Sequence, residues 1–358
     1  MIEFIVIGLA AAIMLVLWKS RLNYIFLPQL PFAANVKSPD LTVIIPARNE
    51  AHQIGRAVKS FPGLSVIVVD DASSDNTSQI ARESGAQVIP APSLSEGHKG
   101  KPNACAEGAR HAHTKWILFV DADTWFDPPF AASLVAYADA NGVSFVTAFL
   151  EQVCLTIWEK ALLPYAFALY FTGVSARAVN NPKSRQALAN GQCMLFERAV
   201  YEKLGGHSAV ADSVIEDVAL ARYAKQNGVS VRVIRAEQLG HVRMYDGLAA
   251  IWRGFQKNSF RFLLINPWSG VQVVLASILL TSWAPVLLLG LSDYPTFSLA
   301  PTPVTLLFFV PFLALLPWYR GLNVLFAPIG IYLFQFIALN GMVTTILRRP
   351  VQWKSRNV

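Results

Sequence analysis

The chain has 358 residues, 54% of them hydrophobic and only 15% charged, with a formal net charge of +7. Soluble domains carry about 25% charged residues, so the composition argues against a wholly soluble protein and leaves room for one catalytic domain beside a membrane part. Nor does the positive charge mark a nucleic-acid binder: Arg253, Lys257, Arg261 and the basic tail flank apolar runs, as charges facing anionic lipid do.

Ile2 to Trp18 is nearly unbroken apolar sequence, just long enough to cross a bilayer core. Lys19, Arg21, Tyr24 and Phe26 come next as an interfacial set. A cleaved signal peptide carries its charge before the run and small residues after it. Both are missing, so residues 1–20 are read as an uncleaved anchor. The positive-inside rule then puts the chain from Lys19 onward on the cytoplasmic face of the cell membrane.

From Leu41 the pattern changes. Leu41–Ile45, Ser65–Val69 and Trp116–Val120 are short apolar runs, fit for strands covered on both faces. Between them, Ala51–Ser60, Asp75–Ser84 and Pro102–His113 have the length of crossover helices. Such alternation predicts an α/β domain over 38–262 with a doubly wound, mainly parallel sheet. Arg48-Asn49-Glu50, Asp70-Asp71 and Asp121-Ala122-Asp123 each come directly after a strand. In an open parallel sheet, ligands bind outside the carboxyl ends of strands, so the three clusters are expected to converge.

Two carboxylates after the apolar run Ile117–Val120 repel each other unless a cation intervenes, and hard cations such as Mg²⁺ or Mn²⁺ take carboxylate oxygens. A sugar leaving a nucleoside diphosphate needs such a metal to neutralise the departing charge. Asp70 and Asp71 suit ribose hydroxyls or a uracil N–H, although capping of the next helix also explains part of Asp70–Asp75. Glu50 fits a similar contact or a first-turn helix carboxylate. Lys101, in the glycine-rich turn 96–103, reaches phosphate or base, or is a surface lysine, and His98 is a loop histidine.

Leu155–Val179 is long, apolar and aromatic, and reads as an interfacial segment or a core helix. Glu216 and Asp217 open a helix over Ile215–Asn227, for which Ile215, Ala219 and Tyr223 supply a buried stripe. The two acids either complement the helix dipole, or Asp217 is a general base for an acceptor hydroxyl. A C-terminal membrane domain over 268–347 holds two spanning runs, Val271–Gly290 and Leu322–Ile346. Pro303–Trp318 is shorter and broken by Pro311 and Pro317. Three crossings would put Arg348, Arg349, Lys354 and Arg356 of the tail (348–358) outside, so one run is expected to be re-entrant or interfacial. Cys105, Cys154 and Cys193 lack metal-ligand spacing and read as small buried hydrophobes in a reducing compartment.

Taken in order, Pro46-Ala-Arg-Asn-Glu50, Asp70-Asp-Ala-Ser-Ser-Asp-Asn-Thr77, Gly100-Lys-Pro-Asn103, Asp121-Ala-Asp123, Gly205-Gly206 and Glu216-Asp-Val-Ala-Leu220 resemble the inverting family-2 glycosyltransferases with a GT-A fold. The resemblance covers about residues 41 to 260. It implies a nucleotide-sugar donor, usually a UDP-sugar, held by Pro46, Arg48, Glu50, Asp70, Asp71, Lys101 and Asp121. It also implies a divalent metal (Mn²⁺ or Mg²⁺) on Asp123 and Asp217 as base. If Leu155–Val179 is interfacial, it and Ala249–Phe262 flank a lipid-facing entrance, with Glu216, Arg243 and Trp252 expected on the acceptor side. The Gln-x-x-Arg-Trp signature of many membrane members is missing; Arg243-Met-Tyr245 and Ile251–Asn258 stand there instead. That arrangement is most similar to the branch acting on membrane lipids, such as carotenoid-acid (diaponeurosporenoate-type) and hopanoid-associated glycosyltransferases, and implies a single transfer per acceptor. A polyprenyl-phosphate sugar synthase, with Arg177, Lys183 and Arg185 receiving a phosphate, is the alternative enzyme. A degenerate scaffold or transporter is disfavoured by the intact Asp121, Asp123 and Asp217 and by the lack of charge inside the apolar runs.

Overall fold

The computed structural model describes residues 2–33, 38–213, 215–265, 267–292 and 303–347, with two short pieces of the tail. It divides into two compact units. One comprises Met1–Phe26, Cys154–Ser175 and Tyr245–Val351; the other comprises Leu27–Val153, Ala176–Met244 and Gln352–Val358.

The second unit carries, before the tail, the strands β1 (Leu41–Ala47), β2 (Ser65–Asp70), β3 (Gln87–Pro90), β4 (Trp116–Val120), β5 (Thr124–Phe126), β6 (Phe145–Phe149), β7 (Glu151–Gln152), β8 (Cys193–Glu197), β9 (Val231–Arg235) and β10 (Gly240–Val242). Seven of them form one sheet in the order β3-β2-β1-β4-β8-β6-β9. Successive side chains on a strand point to opposite faces, and here both faces are covered. Val43, Ile45, Val68, Leu118 and Val120 enter one core, while Ile44, Ile67, Val69, Ile117 and Phe119 enter the other. This explains why the runs are continuously apolar instead of alternating.

The sheet is mainly parallel, as expected, with β8 reversed: it pairs antiparallel with both β4 and β6. Cys193, at the start of β8, faces Val120, at the end of β4. The loop that enters β8 therefore reaches the same sheet edge that β4 leaves. A small second sheet, β5-β10-β7, comes after the Asp121–Asp123 turn.

The first two crossover helices are shorter than their sequence suggests, at Ile54–Lys59 and Thr77–Glu83. Their leading residues are spent on the turns after β1 and β2. The amides of Asn49, Glu50 and Ala51 donate to Ser73, Thr77 and Asp75 respectively, and Ser74 donates back to Asn49. The third helix runs Gly100–Arg110. The helix after the site runs Glu216–Gln226, and it buries Glu216, Val218, Leu220, Ala221 and Ala224, whereas Tyr223 is 36% exposed. The expected Ile215–Ala219–Tyr223 stripe is thus corrected. The acidic first turn faces inward, where Glu216 meets the ammonium of Lys101.

Among the described residues of the first unit, three helices are long and apolar enough to cross a membrane: Glu3–Ile25, Pro267–Leu291 and Gly321–Ile346. Only 22%, 28% and 33% of their most apolar windows is buried, so most of that apolar surface is exposed. The helix Pro303–Leu315, with Pro311 inside it, is about 20 Å long at helical rise, short of the bilayer core of about 30 Å. The helix Ile157–Tyr170 starts at a capping box formed by Thr156 and Glu159 and buries Tyr165, while Leu155, Ile157 and Trp158 are exposed. Polar groups in this unit meet each other: Gln256 donates to Asn340 (2.7 Å) and Thr344 (3.0 Å), and Gln335 donates to the Tyr165 hydroxyl (2.6 Å). Such pairs serve as interhelical glue in lipid. Arg348, Arg349 and Lys354 of the basic tail, and the side chains of Lys257 and Arg261, lie outside the described residues.

Candidate active site

The expected clusters sit at the carboxyl edge of the seven-stranded sheet. β1 runs through Pro46 to Ala47, with Pro46 level with Val69 and Ala47 level with Asp70. Asp70 organises its own turn: one oxygen accepts from the Ser73 amide (3.0 Å) and the other from the Ser78 hydroxyl (2.6 Å). Asp71 is buried, and its carbonyl accepts a hydrogen bond from the Arg48 guanidinium. Asn49 and Ala72 both hold left-handed φ, at 54° and 55°. Strained residues of this kind persist where surrounding bonds over-determine them, and the cross-turn hydrogen bonds after β1 and β2 do so here.

At the end of β4 the site closes around one cation. Lys101 Nζ lies 2.7 Å from Asp121 Oδ1 and 3.0 Å from Glu216 Oε1. Beside them, Asp217 Oδ2 accepts from the Gly191 amide (2.7 Å), and Oδ1 accepts from the Val218 amide (2.8 Å). The Asp217 carboxyl is pushed up to about 6, chiefly by burial and then by the neighbouring Glu216 charge, while Lys101 and the two amides pull the other way. A carboxylate titrating near neutrality, held by fixed amides, is suited to take a proton.

Sequence reasoning does not single out Gly191. Its turn is pinned on both sides: the Asn190 amide donates to Thr147 (2.8 Å), Asn190 Nδ2 to Ala148 O (3.2 Å), and the Gln192 amide to Asn190 Oδ1 (3.2 Å). The polar Asn190-Gly-Gln192 triplet before the apolar β8 is the signal that could have found it. Gly205-Gly206 has a structural reason. Gly206 adopts φ 53°, and a Cβ there would lie 2.3 Å from the Tyr201 ring. This lets the Tyr201 hydroxyl meet His207 Nδ1 at 2.8 Å. His207 is fully buried against Phe119 and is held near 4, below its ordinary value, mainly by burial.

Asp123 lies two residues past the Lys101 partner, and its carbonyl accepts from the Arg243 amide (3.1 Å). The Arg56 guanidinium stacks 3.4 Å above the Trp125 ring centre. Burial and the charge of Arg243 lower its pKa, and the Asp123 carboxylate opposes them, so these three groups share one field. His241 also stacks on Trp125, and its Nδ1 is 2.5 Å from Glu151. Neither Arg56 nor Trp125 is singled out by the sequence pattern. Among the expected residues, then, Lys101, Asp121, Glu216 and Asp217 are in direct contact or adjacent. Trp252 lies in the other unit, where its ring meets Phe336, and Arg177, Lys183 and Arg185 are exposed.

Residues 42–205, which carry the strand-end carboxylates and the pinned turn, match the Glycosyl transferase family 2 description. They are a glycosyl transferase family 2 domain. Curated relatives agree with this. Two 4,4'-diaponeurosporenoate glycosyltransferases of Staphylococcus aureus, from strains USA300 and MRSA252, are 27% and 31% identical over 231 and 247 residues. Each alignment covers 63% of this chain and 62% of the relative, so the chain spans less than two thirds of the relatives' length. A solved mannosyltransferase from Pyrobaculum calidifontis, in complex with GDP-Man and Mn²⁺, superposes with a TM-score of 0.57 at 18% identity, covering 98% of this chain and all of that one. The family-2 domain therefore has the GT-A fold.

Proposed function

We propose that this protein transfers a single sugar from a nucleotide-sugar donor, a UDP-hexose, to a membrane-lipid acceptor such as a carotenoid acid or hopanoid, with inversion at the anomeric carbon. The observation that carries the reading is the convergence of Asp121, Lys101, Glu216 and Asp217 at one sheet edge. The relatives named for diaponeurosporenoate and the three long apolar helices support an acceptor drawn from a bilayer. Lys19 and Arg21 after the first apolar run support a domain on the cytoplasmic face of the cell membrane.

In this reading the interlocked turns after β1 and β2 hold the nucleotide, through Pro46, Arg48, Glu50, Asp70 and Asp71. Asp70 acts by shaping its turn, since both its oxygens are engaged there. Asp121 faces the ribose or sugar, and Glu216 and Arg243 lie toward the acceptor. Asp217, oriented by the Gly191 and Val218 amides, takes the proton from the acceptor oxygen as that oxygen bonds to the anomeric carbon and the nucleoside diphosphate departs.

A divalent ion, Mn²⁺ or Mg²⁺, belongs on Asp123. No three His, Cys, Asp or Glu side chains converge on one point among the described residues, so the protein does not form a cage by itself. A carboxylate oxygen supplemented by phosphate oxygens is, however, the donor set such ions take in phosphate-transfer sites, and the residues present fit it. When bound, the ion neutralises charge on the departing diphosphate.

The test is mass spectrometry of membrane lipids from cells expressing the wild-type protein or the Asp217→Asn variant. One hexose added to a lipid in the wild-type sample, and absent with Asp217→Asn, is the expected result. Gain on a phosphorylated polyprenol instead would select the polyprenyl-phosphate synthase reading, and unchanged lipids with active Asp217 would overturn the proposal.

A further inference from the structure

Lys101 was expected to touch a phosphate or a base, yet its ammonium is committed to two carboxylates from distant parts of the chain. Asp121 sits at the exit of β4 and Glu216 in the first turn of the helix that carries Asp217. Lys101 is itself in the first turn of the helix Gly100–Arg110, which packs on the sheet through Ala104, Cys105 and Ala109. Three elements therefore meet at one Nζ. An ammonium has three donors and a compact charge, so it can serve both carboxylates at once.

The space for this contact depends on Gly191. A Cβ at that position would lie 2.9 Å from Lys101 Nζ and 3.3 Å from Asp217 Oδ2. At the first distance the flexible end of Lys101 would have to withdraw from its place between the carboxylates, and the second distance is tight. The same residue whose amide holds Asp217 thus keeps open the room in which Lys101 reaches Glu216. Two neighbouring carboxylates hold Lys101 charged against the cost of burial.

We infer that Lys101 is a positioning residue. By ion-pairing Asp121 and Glu216 together it fixes Asp217 relative to the donor-side carboxylate, and Gly191 lacks a side chain so that this bridge can form. The inference rests on the proposed roles of Asp217 and Asp121. It assigns Lys101 to alignment across the site and takes it away from donor affinity.

The experiment compares full-length wild type with Lys101→Met, Gly191→Ala and the double variant Lys101→Met/Glu216→Gln. Hydrogen exchange is followed in peptides covering 189–193 and 215–220. UDP binding with Mn²⁺ is measured by calorimetry, with GDP as a second probe. Steady-state kinetics use whichever donor supports lipid transfer. Lys101→Met is expected to raise exchange in both peptides by about tenfold and to lower kcat by about a hundredfold, with donor KM and nucleotide affinity within about threefold. The double variant should recover part of the loss, because Glu216 is no longer left as an uncompensated buried charge. Loss of nucleotide affinity with unchanged exchange and kcat would overturn the inference and make Lys101 a donor contact. If Lys101→Met does not fold, Gly191→Ala decides: it should reproduce the exchange pattern, and native exchange there would equally overturn the inference. Full transfer by Asp217→Asn would sink the base assignment alone, since the exchange results do not depend on it.

Discussion

The Asp217 carboxyl gives a quantitative expectation. Burial and then the Glu216 charge raise it, Lys101 and two backbone amides oppose, and the result is about 6. A general base works only when ionised. With a pKa of about 6, roughly a tenth of the sites are active one unit below and about nine tenths one unit above. Turnover at saturating donor and acceptor should therefore rise about tenfold between about pH 5 and about pH 7. Glu216→Gln removes the like charge, so the ionised form becomes easier to reach and the acid limb should move to lower pH. The assay is release of nucleoside diphosphate across that range, with the stability of each variant checked at both ends. A flat acid limb, or a limb that moves to higher pH in Glu216→Gln, would refute the assignment of this titration to Asp217.

Other consequences are open to direct measurement. Asp123→Ala should abolish the Mn²⁺ dependence of UDP binding in calorimetry while leaving the circular dichroism spectrum unchanged; metal-dependent affinity in that variant would count against the metal site. Gly206→Ala places a methyl within 2.3 Å of the Tyr201 ring at a left-handed φ. It should lose about 2–5 kcal/mol of stability, read as a lowered Tm. Asp70→Ala leaves the Ser73 amide and the Ser78 hydroxyl without their acceptor. It should lose about 2–4 kcal/mol together with nucleotide affinity, and unchanged affinity would show that the turn does not shape the donor site.

Much of this was legible in the sequence, for identifiable reasons. The strands announced themselves because a sheet covered on both faces needs uninterrupted apolar runs, and Leu41–Ile45, Ser65–Val69 and Trp116–Val120 have no other use. The carboxylates stood out because each comes directly after such a run. Rotation of the helix Glu216–Gln226 was misjudged, since Tyr223 is the bulkiest apolar candidate on it. Glu216 instead turns inward to pair with a lysine more than a hundred positions away, and no local pattern reveals that. Gly191 is marked only by the polar triplet around it, because what it contributes is an amide and a missing side chain. Arg56 over Trp125 is a tertiary stack between a helix and a second sheet, which periodicity does not encode.

The reversal of β8 has a consequence for how such an enzyme can diversify. In a purely parallel sheet every loop at the functional edge leads out of a strand, so a change in one loop also shifts the helix beyond it. Here the segment from Asn180 to Gln192 enters its strand at that edge instead. It is anchored at one end by the paired hydrogen bonds between Asn180 and Val233 and at the other by Asn190 and Thr147. Between those anchors Ala187, Leu188 and Ala189 are buried, and the Gln186 carbonyl accepts from Lys225 Nζ (2.7 Å). A change in this incoming connection is therefore passed first to the Asn190–Gln192 turn that holds Asp217, and not to the turns after β1, β2 and β4.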